Sequence, residues 1–266
     1  MQNNQEIRSV WVTRYVTALR EGGSMPAIAE ADDGFLYALK FRGAGQGIKA
    51  LIAELIGGEA ARVLGLRVPE IVLAHLDEGF GRTEPDEEIQ DLLKASTGLN
   101  LALHYLSGSI SFDPAVHKVD EETASRIVWL DAWLMNMDRT AKNTNMLFWN
   151  RELWLIDHGA ALYFHHSGKN WKQDGAKSFP LIKNHVLLPF AGKLEQADEY
   201  CRQQLTDERI DGILALLPSE WLRLTTSTEF ENEAGLREAY SYFLKQRRDK
   251  SAVFINEANN AGSGII

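Results

Sequence analysis

Three residues in the middle of the chain, Asp138, Asn143 and Asp157, have the types and spacing that phosphoryl transfer requires. An aspartate followed five residues later by an asparagine can supply, from one loop, a carboxylate for an incoming hydroxyl and an oxygen ligand for magnesium. The second aspartate lies nineteen residues after the first, beyond two short strand-like runs joined by Asn150-Arg151. Because a tight turn brings the far ends of antiparallel strands together, we expect both aspartates at one end of this hairpin.

Each of these residues also has an ordinary structural role, because aspartate and asparagine often stabilise turns. For any one of them alone we favour that role. For the ordered set, with hydrophobic strands between its members, we favour Asp138 as the catalytic carboxylate and Asn143 and Asp157 as metal ligands. We also expect Gly159, two residues after the second aspartate, to let its loop turn sharply.

A second pair, Lys40 and Glu54, fits the same chemistry. Lys40 lies inside the apolar, strand-like run Tyr37–Phe41, where an unpaired lysine would be costly. Glu54 follows fourteen residues later in a helical pattern, and in kinases a strand lysine contacts ATP phosphates while a helix glutamate orients it. Glu59 is a rival partner. The alternative for the pair is an edge-strand lysine in water and a solvated glutamate.

The elements that must position this pair are strands and one long helix. Residues 9–41 read as antiparallel strands, with Asp32-Asp33-Gly34 as a hairpin signal. Apolar spacing of i, i+3, i+4 and i+7 predicts a helix from Ile48 to Leu64, although Gly57-Gly58 disfavours a straight one. Further predicted elements are a strand at Val68–Leu76, a short helix near Asp86–Ala95 and a buried strand at Leu99–Leu106.

After residue 108 the pattern becomes helical around the small hairpin. Asp120 is the predicted N-cap of a helix in which Trp129 and Trp133 face the core. The hairpin strands are Met146–Trp149 and Leu153–Ile156, residues 158–190 read as loop, and residues 191–256 read as several helices. This order predicts an α+β chain of two lobes with a cleft between them. We expect a small β-rich N-lobe with one helix at residues 1–98 and a larger helical C-lobe at residues 99–266.

Composition excludes several classes of protein. The chain has 28 basic and 37 acidic residues and a formal net charge of −9, which argues against nucleic-acid binding because phosphate neutralisation needs a basic surface. No run approaches the ~20 apolar residues that span a bilayer. The single cysteine, Cys201, excludes an internal disulfide and a cysteine metal cluster. We therefore expect a cytoplasmic protein without nucleic-acid or membrane partners.

Two further groups of residues are interpreted as structural. The histidines lack the spacing of a metal motif, so we read them as loop and core residues; they are His158, His165, His166 and His185. The basic run Lys245–Arg248 reads as a solvated helix face, with a docking patch as the alternative.

Taken together, these motifs resemble the HipA-like kinases and, more distantly, the phosphoinositide kinases and eukaryotic protein kinases. Tyr37–Phe41 resembles the family's strand that bears the ATP lysine. Ala53-Glu54 and the segment Leu64–Glu70 resemble its glutamate helix and the Gly-x-x-Val-Pro-Glu signature after it, a register that favours Glu54 over Glu59. The segment Leu130–Arg139 resembles the approach to the family's catalytic loop. The resemblance covers roughly residues 17–160.

The resemblance implies a two-lobed, protein-kinase-like fold and an ATP- and Mg²⁺-dependent phosphotransferase that acts on a protein serine or threonine. Lys40, held by Glu54, would contact the ATP phosphates. Gly22, Gly23 and Ser24 would form the loop over those phosphates, and the family can carry a phosphorylatable serine in that loop. Asp138 would take the hydroxyl proton, and the family's two metal-binding positions fall on Asn143 and Asp157.

The chain also departs from the family's pattern. Thr140 stands where the family often has histidine, and there is no room for the extra N-terminal subdomain of the longer, toxin-type members. This puts a toxin role in doubt more than the kinase fold. A protein substrate is expected, and an antitoxin-type partner is left open. Two alternatives also stay open: a small-molecule or lipid kinase, and a non-catalytic, nucleotide-binding pseudokinase that binds a partner.

Overall fold

The fold is given by a computed structural model, which describes residues 6–19, 25–81, 84–166, 171, 175–225 and 232–263. Within them the chain is strand-rich first and helical afterwards. The first elements are β1 (Ser9–Ala18), β2 (Ala27–Ala31), β3 (Leu36–Lys40), α1 (Gly47–Val63), β4 (Ile71–Leu76), α2 (Glu87–Ala95) and β5 (Gly98–His104). The later ones are β6 (Ile110–Ser111), α3 (Glu121–Leu134), β7 (Met146–Trp149), β8 (Glu152–Leu155), α4 (Leu194–Gln204), α5 (Asp207–Ala215), α6 (Ser219–Thr225), α7 (Glu233–Asp249) and α8 (Ala252–Ser263).

The first five strands close into a barrel in the order β1-β2-β3-β5-β4. The pairs are antiparallel except for β1 with β4, which are parallel and place Ser9 opposite Leu73. The predicted hairpin at Asp32-Asp33-Gly34 is confirmed: it joins β2 to β3, and Gly34 has the left-handed φ of 79° that favours glycine. Lys40 is the last residue of β3, opposite Leu101 of β5.

Two features of the N-terminal part differ from its predicted description. Strand β5 pairs with both β3 and β4, so the barrel continues past the boundary expected at residues 98–99 and ends at His104. This part also contains two helices, although the lobe was described with one; the short helix predicted near Asp86–Ala95 is confirmed. The second is α2, which begins after Asp86, whose carboxylate accepts hydrogen bonds from the Glu88 and Ile89 amides.

Helix α1 is an uninterrupted helix buried on nearly all sides. Its two glycines allow neighbours to approach closely. A Cβ at Gly57 would lie 2.6 Å from the Cβ of His158, and one at Gly58 would lie 2.4 Å from Ile71 Cδ1. The glycines that disfavoured a straight helix in the sequence are therefore explained by packing.

Two hydrophobic cores organise the molecule. The smaller one fills the barrel, and the larger one joins α1 to the helices of the C-terminal part. Trp129 and Trp133 stack at the centre of the larger core with ring centroids 5.8 Å apart, which confirms their predicted core role. The helix that carries Glu54 is therefore held mainly by the C-terminal part.

The elements around the hairpin follow the prediction closely. Asp120 caps α3 by accepting a hydrogen bond of 2.8 Å from the Thr123 amide. Strands β7 and β8 pair through a tight turn in which Asn150 and Arg151 have φ values of 49° and 66°. The two-residue strand β6 adds to β7 and was not predicted, because it is too short to show a pattern.

The prediction for the basic run Lys245–Arg248 is wrong at Arg247. That side chain is buried and donates hydrogen bonds to the carbonyls of Ala132 and Lys177, so it ties α7 to α3. Within the described residues, no helix combines the length and the apolar character that crossing a bilayer would need.

Candidate active site

Lys40, Glu54 and Asp157 meet in one ionic group, which we call the lysine triad. The Lys40 ammonium lies 2.6 Å from Glu54 Oε2 and 2.6 Å from Asp157 Oδ1. The three side chains come from the end of β3, the middle of α1 and the segment after β8. Glu59, the rival partner, pairs with Arg62 instead. The structure therefore brings together residues that are distant in sequence, in the pairing that the sequence favoured.

The exposure of the side chains increases across the triad, from a buried interior to an open rim. The side chain of Glu54 is fully buried, that of Lys40 is 15% exposed, and that of Asp157 is 39% exposed. Burial lowers the pKa of Lys40, but the two carboxylates raise it more, so the lysine stays charged. The Lys40 charge lowers the pKa of Asp157, whereas burial raises that of Glu54. The exposed carboxylate is thus the one best able to meet a ligand.

Asp138 lies close enough to Asp157 for their charges to interact. Its Oδ2 accepts hydrogen bonds from the side-chain amides of Asn143, at 2.9 Å, and Asn145, at 3.2 Å. Burial raises the pKa of Asp138, the charge of Asp157 raises it further, and the two amides oppose the shift. The predicted pair of aspartates therefore shares one end of the hairpin, with Asn143 beside them.

The backbone after the hairpin is left-handed at Asp157, which has a φ of 56°. The turn expected at Gly159 is also present, because the Ala161 amide donates a hydrogen bond of 2.9 Å to the His158 carbonyl, although Gly159 does not have a left-handed φ. Asn145, where the hairpin begins, is also left-handed, with a φ of 48°. Asparagine and aspartate tolerate this conformation better than other residues with side chains.

A second ionic group lies beneath the loop that carries Asp138. In this buried cluster, Asp131 Oδ2 accepts hydrogen bonds from Arg139 Nε at 2.5 Å and His185 Nε2 at 2.9 Å, and its Oδ1 accepts one from Asn136 at 2.9 Å. Burial raises the pKa of Asp131, but Arg139 and His185 hold it well below its usual range. His185 is neutral, because its Nδ1 accepts a hydrogen bond from the Leu187 amide while Nε2 donates.

Arg139 connects this cluster to both ends of the hairpin. Its guanidinium donates to the carbonyls of Asn145, before β7, and Ile156, after β8. These carbonyls belong to the segments that carry Asp138 and Asp157, so the cluster fixes the spacing between the two aspartates.

Asp131, Arg139 and Asn145 were not predicted as site residues, and His185 was read only as a loop or core histidine. One signal was available for Asp131, because a carboxylate within the apolar run Leu130–Leu134 must be paired if it is buried.

Gly22, Gly23 and Ser24 lie outside the described residues. His158, His165 and His185 are buried, as core histidines should be, whereas His166 is exposed. Across the part of the chain that the structure describes, no group of three or more His, Cys, Asp or Glu side chains is arranged to hold a metal alone.

The donor set nevertheless fits a magnesium ion that is shared with phosphate oxygens. Glu54, Asp138 and Asp157 share the site with the single ammonium of Lys40, which leaves a surplus of negative charge. Asn143 points its amide nitrogen at Asp138, so its oxygen is available to a cation. Magnesium is commonly held by one or two such protein oxygens plus substrate phosphates, and does not need a cage made only of protein.

Comparison with a solved structure identifies the fold. The crystal structure of the Helicobacter pylori proinflammatory kinase CtkA has a similar fold, with a TM-score of 0.56 over 98% of this chain and 99% of that chain. The identity is 13%, so the likeness concerns the fold alone, which is that of a kinase. A comparison with curated protein sequences finds no match.

The family follows from the sequence itself. Residues 12–251 match the model of the HipA-like kinases, and the chain belongs to that family. The resemblance seen in the motifs is thereby confirmed, and the match extends beyond residue 160 into the helical part. Membership implies that the chain uses ATP.

Proposed function

We propose that this protein is an ATP- and Mg²⁺-dependent kinase that transfers the γ-phosphoryl group to a serine or threonine of a protein. The observation that carries the proposal is the meeting of Lys40, Glu54 and Asp157 within electrostatic reach of Asp138. These are the residue types that phosphoryl transfer uses for phosphate binding, metal binding and orientation of the acceptor. Family membership supports the same chemistry.

Lys40 binds the phosphates in this proposal. An ammonium group has three N–H donors, so Lys40 can keep its bond to Glu54 while donating to a phosphate oxygen. Because Glu54 is fully buried, its carboxylate cannot follow the nucleotide outward, and it fixes the direction in which the lysine points.

Asp138 acts on the acceptor. The two amides that donate to its Oδ2 hold its orientation, and its raised pKa makes it a better proton acceptor than an ordinary aspartate. In the transfer, the acceptor oxygen forms a bond to the γ-phosphorus, the bond from that phosphorus to the β–γ bridging oxygen breaks, and ADP leaves. The hydroxyl proton passes to Asp138.

Asp157 and Asn143 would hold magnesium, which when bound neutralises charge on the phosphates. The open rim of the triad suits this role, because Asp157 is its most exposed carboxylate. Asp157→Asn should therefore weaken nucleotide binding in the presence of magnesium and change it little in the presence of EDTA. Asp91→Asn, an exposed aspartate on α2, is the matched control.

The test is incubation of the purified protein with γ-labelled ATP and a mixture of protein and small-molecule acceptors, with magnesium or with EDTA. The expected result is magnesium-dependent label on serine or threonine, identified by acid hydrolysis. Label on small molecules only would show that the acceptor is a metabolite and not a protein. Nucleotide binding without any transfer would overturn the proposal and make the chain a pseudokinase.

A further inference from the structure

The catalytic loop is joined to the segment after the hairpin by a short antiparallel contact. Thr140 and His185 form an isolated bridge, and the Val186 amide donates a hydrogen bond of 3.1 Å to the Arg139 carbonyl. The Thr140 amide donates to the Asn143 carbonyl at 2.8 Å, so residues 141 and 142 form the tip of a tight loop. The segment around His185 is therefore part of the surroundings of Asp138.

This contact brings two lysines towards the catalytic loop. Lys142 lies two residues after Thr140, and Lys183 lies two residues before His185, in a short 3₁₀ helix at Pro180–Asn184. Because each lysine is only two residues from the bridge, both lie near the loop that carries Asp138 and Asn143.

Both lysines are exposed, and neither has a carboxylate partner among the described residues. Lys245, by contrast, pairs with Asp211 at 2.7 Å. No acidic residue occurs in residues 139–144 or 175–193, although the whole chain carries a net charge of −9. Within these two segments, the positive charge of the lysines is therefore not balanced by an acidic residue.

Two apolar side chains close in sequence to these segments are also exposed. Met137, which directly precedes Asp138, is 40% exposed, and Leu181, two residues before Lys183, is 41% exposed. Exposed apolar side chains near unpaired cations fit an extended protein segment, which can present acidic and apolar side chains together. A small anion would use only the charges.

We propose that Lys142 and Lys183, with Met137 and Leu181, form an acceptor-docking surface that selects serine or threonine residues flanked by acidic side chains. This inference rests on the proposed kinase function and adds the substrate class. In a protein of strongly negative net charge, a local basic surface concentrates acidic partners at one place and leaves them repelled elsewhere. The attraction between exposed charges weakens as salt screens it.

The experiment compares three peptides that share one acceptor serine and an apolar residue and are flanked by aspartates, by glutamines or by lysines. The measured quantity is kcat/KM for each peptide, expressed as the ratio of the aspartate peptide to the glutamine peptide. We expect a ratio of roughly tenfold or more for the wild type at low salt, falling as salt is raised. The lysine peptide should be the poorest acceptor.

The variants Lys142→Glu, Lys183→Glu and the pair together should lower this ratio stepwise towards one or below it, mainly through KM for the aspartate peptide. Lys142→Gln and Lys183→Gln should lower it less and serve if a charge reversal impairs folding. Lys250→Glu changes the net charge equally at an exposed site after α7 and should keep the wild-type ratio.

The outcomes separate this inference from the function on which it rests. Transfer to all three peptides with equal efficiency, or a ratio that the lysine variants do not change, would overturn the docking surface and leave the kinase intact. Absence of transfer to every peptide and to the protein itself, under conditions where ATP binds, would overturn the proposed function and this inference with it.

Discussion

The lysine triad and the buried cluster are two ionic groups on either side of the same hairpin, and they differ in how their charges are balanced. In the triad, one ammonium faces two carboxylates, and the rim is open at Asp157. In the buried cluster, Asp131 is matched by the guanidinium of Arg139, and neutral His185 and Asn136 complete its hydrogen bonds. Both side chains of the Asp131–Arg139 pair are completely buried.

This difference indicates a division of roles. A charge surplus at an open rim is costly unless a cation or other ligand compensates for it, so the triad is arranged for binding. A charge-balanced group that also bonds to backbone carbonyls is arranged to hold its surroundings in place. The loop with Asp138 is connected to both groups: Arg139 of the buried cluster follows Asp138 directly, and the charge of Asp157 in the triad interacts with that of Asp138.

Asp138→Asn should reduce phosphate transfer by about a hundred- to ten-thousand-fold, the usual range for the loss of a general base. Nucleotide binding and the free energy of unfolding should change little, because Asp138 holds no phosphate and is only half-buried. Single-turnover transfer, nucleotide titration and chemical denaturation measure the three quantities. Wild-type turnover would show that the roles have been assigned to the wrong residue.

Asp131→Asn should have the opposite profile, although it is the same substitution seven residues earlier. It leaves the buried guanidinium of Arg139 without its counter-charge, which costs about 3–5 kcal/mol of stability in comparable cases. Denaturant midpoints compared with those of Asp138→Asn measure the difference. If Asp131→Asn were as stable as the wild type and merely inactive, the buried cluster would belong to the catalytic machinery.

Lys40→Met should impair nucleotide binding and transfer, and it should also make stability depend on pH. Without Lys40, Glu54 is a buried carboxyl whose folded pKa lies further above its unfolded value. A raised folded pKa gives stability at low pH that is lost as the pH rises through it. We therefore expect Lys40→Met to lose stability between about pH 4.5 and neutral pH.

The double variant Lys40→Met with Glu54→Gln separates the two consequences. Removing both charges of the buried pair should restore stability to within about 1 kcal/mol of the wild type or raise it, because such pairs are often no better than neutral groups. Activity should stay lost. Recovery of activity in the double variant would mean that Lys40 merely compensates for Glu54 and binds no phosphate.

Acidification should destabilise the wild type through its buried histidines. Burial, with the nearby charge of Arg139, lowers the pKa of His158 to about 3. Below about pH 6.5 the unfolded chain binds a proton there that the folded chain does not, so stability falls as the pH falls, by about 2 kcal/mol per such histidine between pH 6.5 and 5. His158→Asn should reduce this slope, and His117→Asn, at a partly exposed histidine, is the control. An unchanged slope in His158→Asn would contradict the assignment.

The sequence predicted the elements better than their assembly. The hairpin signal at Asp32-Asp33-Gly34 and the cap at Asp120 were found because each depends on local pattern. The pairing of Lys40 with Glu54 was found because an isolated lysine in an apolar strand is costly and because the family's register favours Glu54 over Glu59. Closure of the barrel was not foreseen, since it depends on a pairing between β1 and β4 that lie far apart in the chain. His185 was missed for the same reason: its partner Asp131 lies 54 residues away.

The packing of α1 against the site depends on two adjacent glycines, Gly57 and Gly58. A Cβ at Gly57 would meet Cβ and Cγ of His158 at 2.6 and 2.8 Å, atoms that a rotation of the ring cannot remove. A Cβ at Gly58 would meet the end of the flexible Ile71 side chain, with its next neighbour at 3.4 Å. Gly57→Ala should therefore lower the free energy of unfolding by about 1–3 kcal/mol. In Gly58→Ala the clash is smaller, and the gain of roughly 1 kcal/mol in helix propensity should offset it.

Because His158 directly follows Asp157, Gly57→Ala should also displace the open carboxylate of the lysine triad and weaken magnesium-dependent nucleotide binding. Gly58→Ala faces β4 instead and should leave that binding at the wild-type level. Nucleotide titrations of the two variants, each at a temperature where it is fully folded, measure the difference. Equal binding by both variants would show that the position of Asp157 is set by Arg139 and the buried cluster alone, with no contribution from the packing of α1.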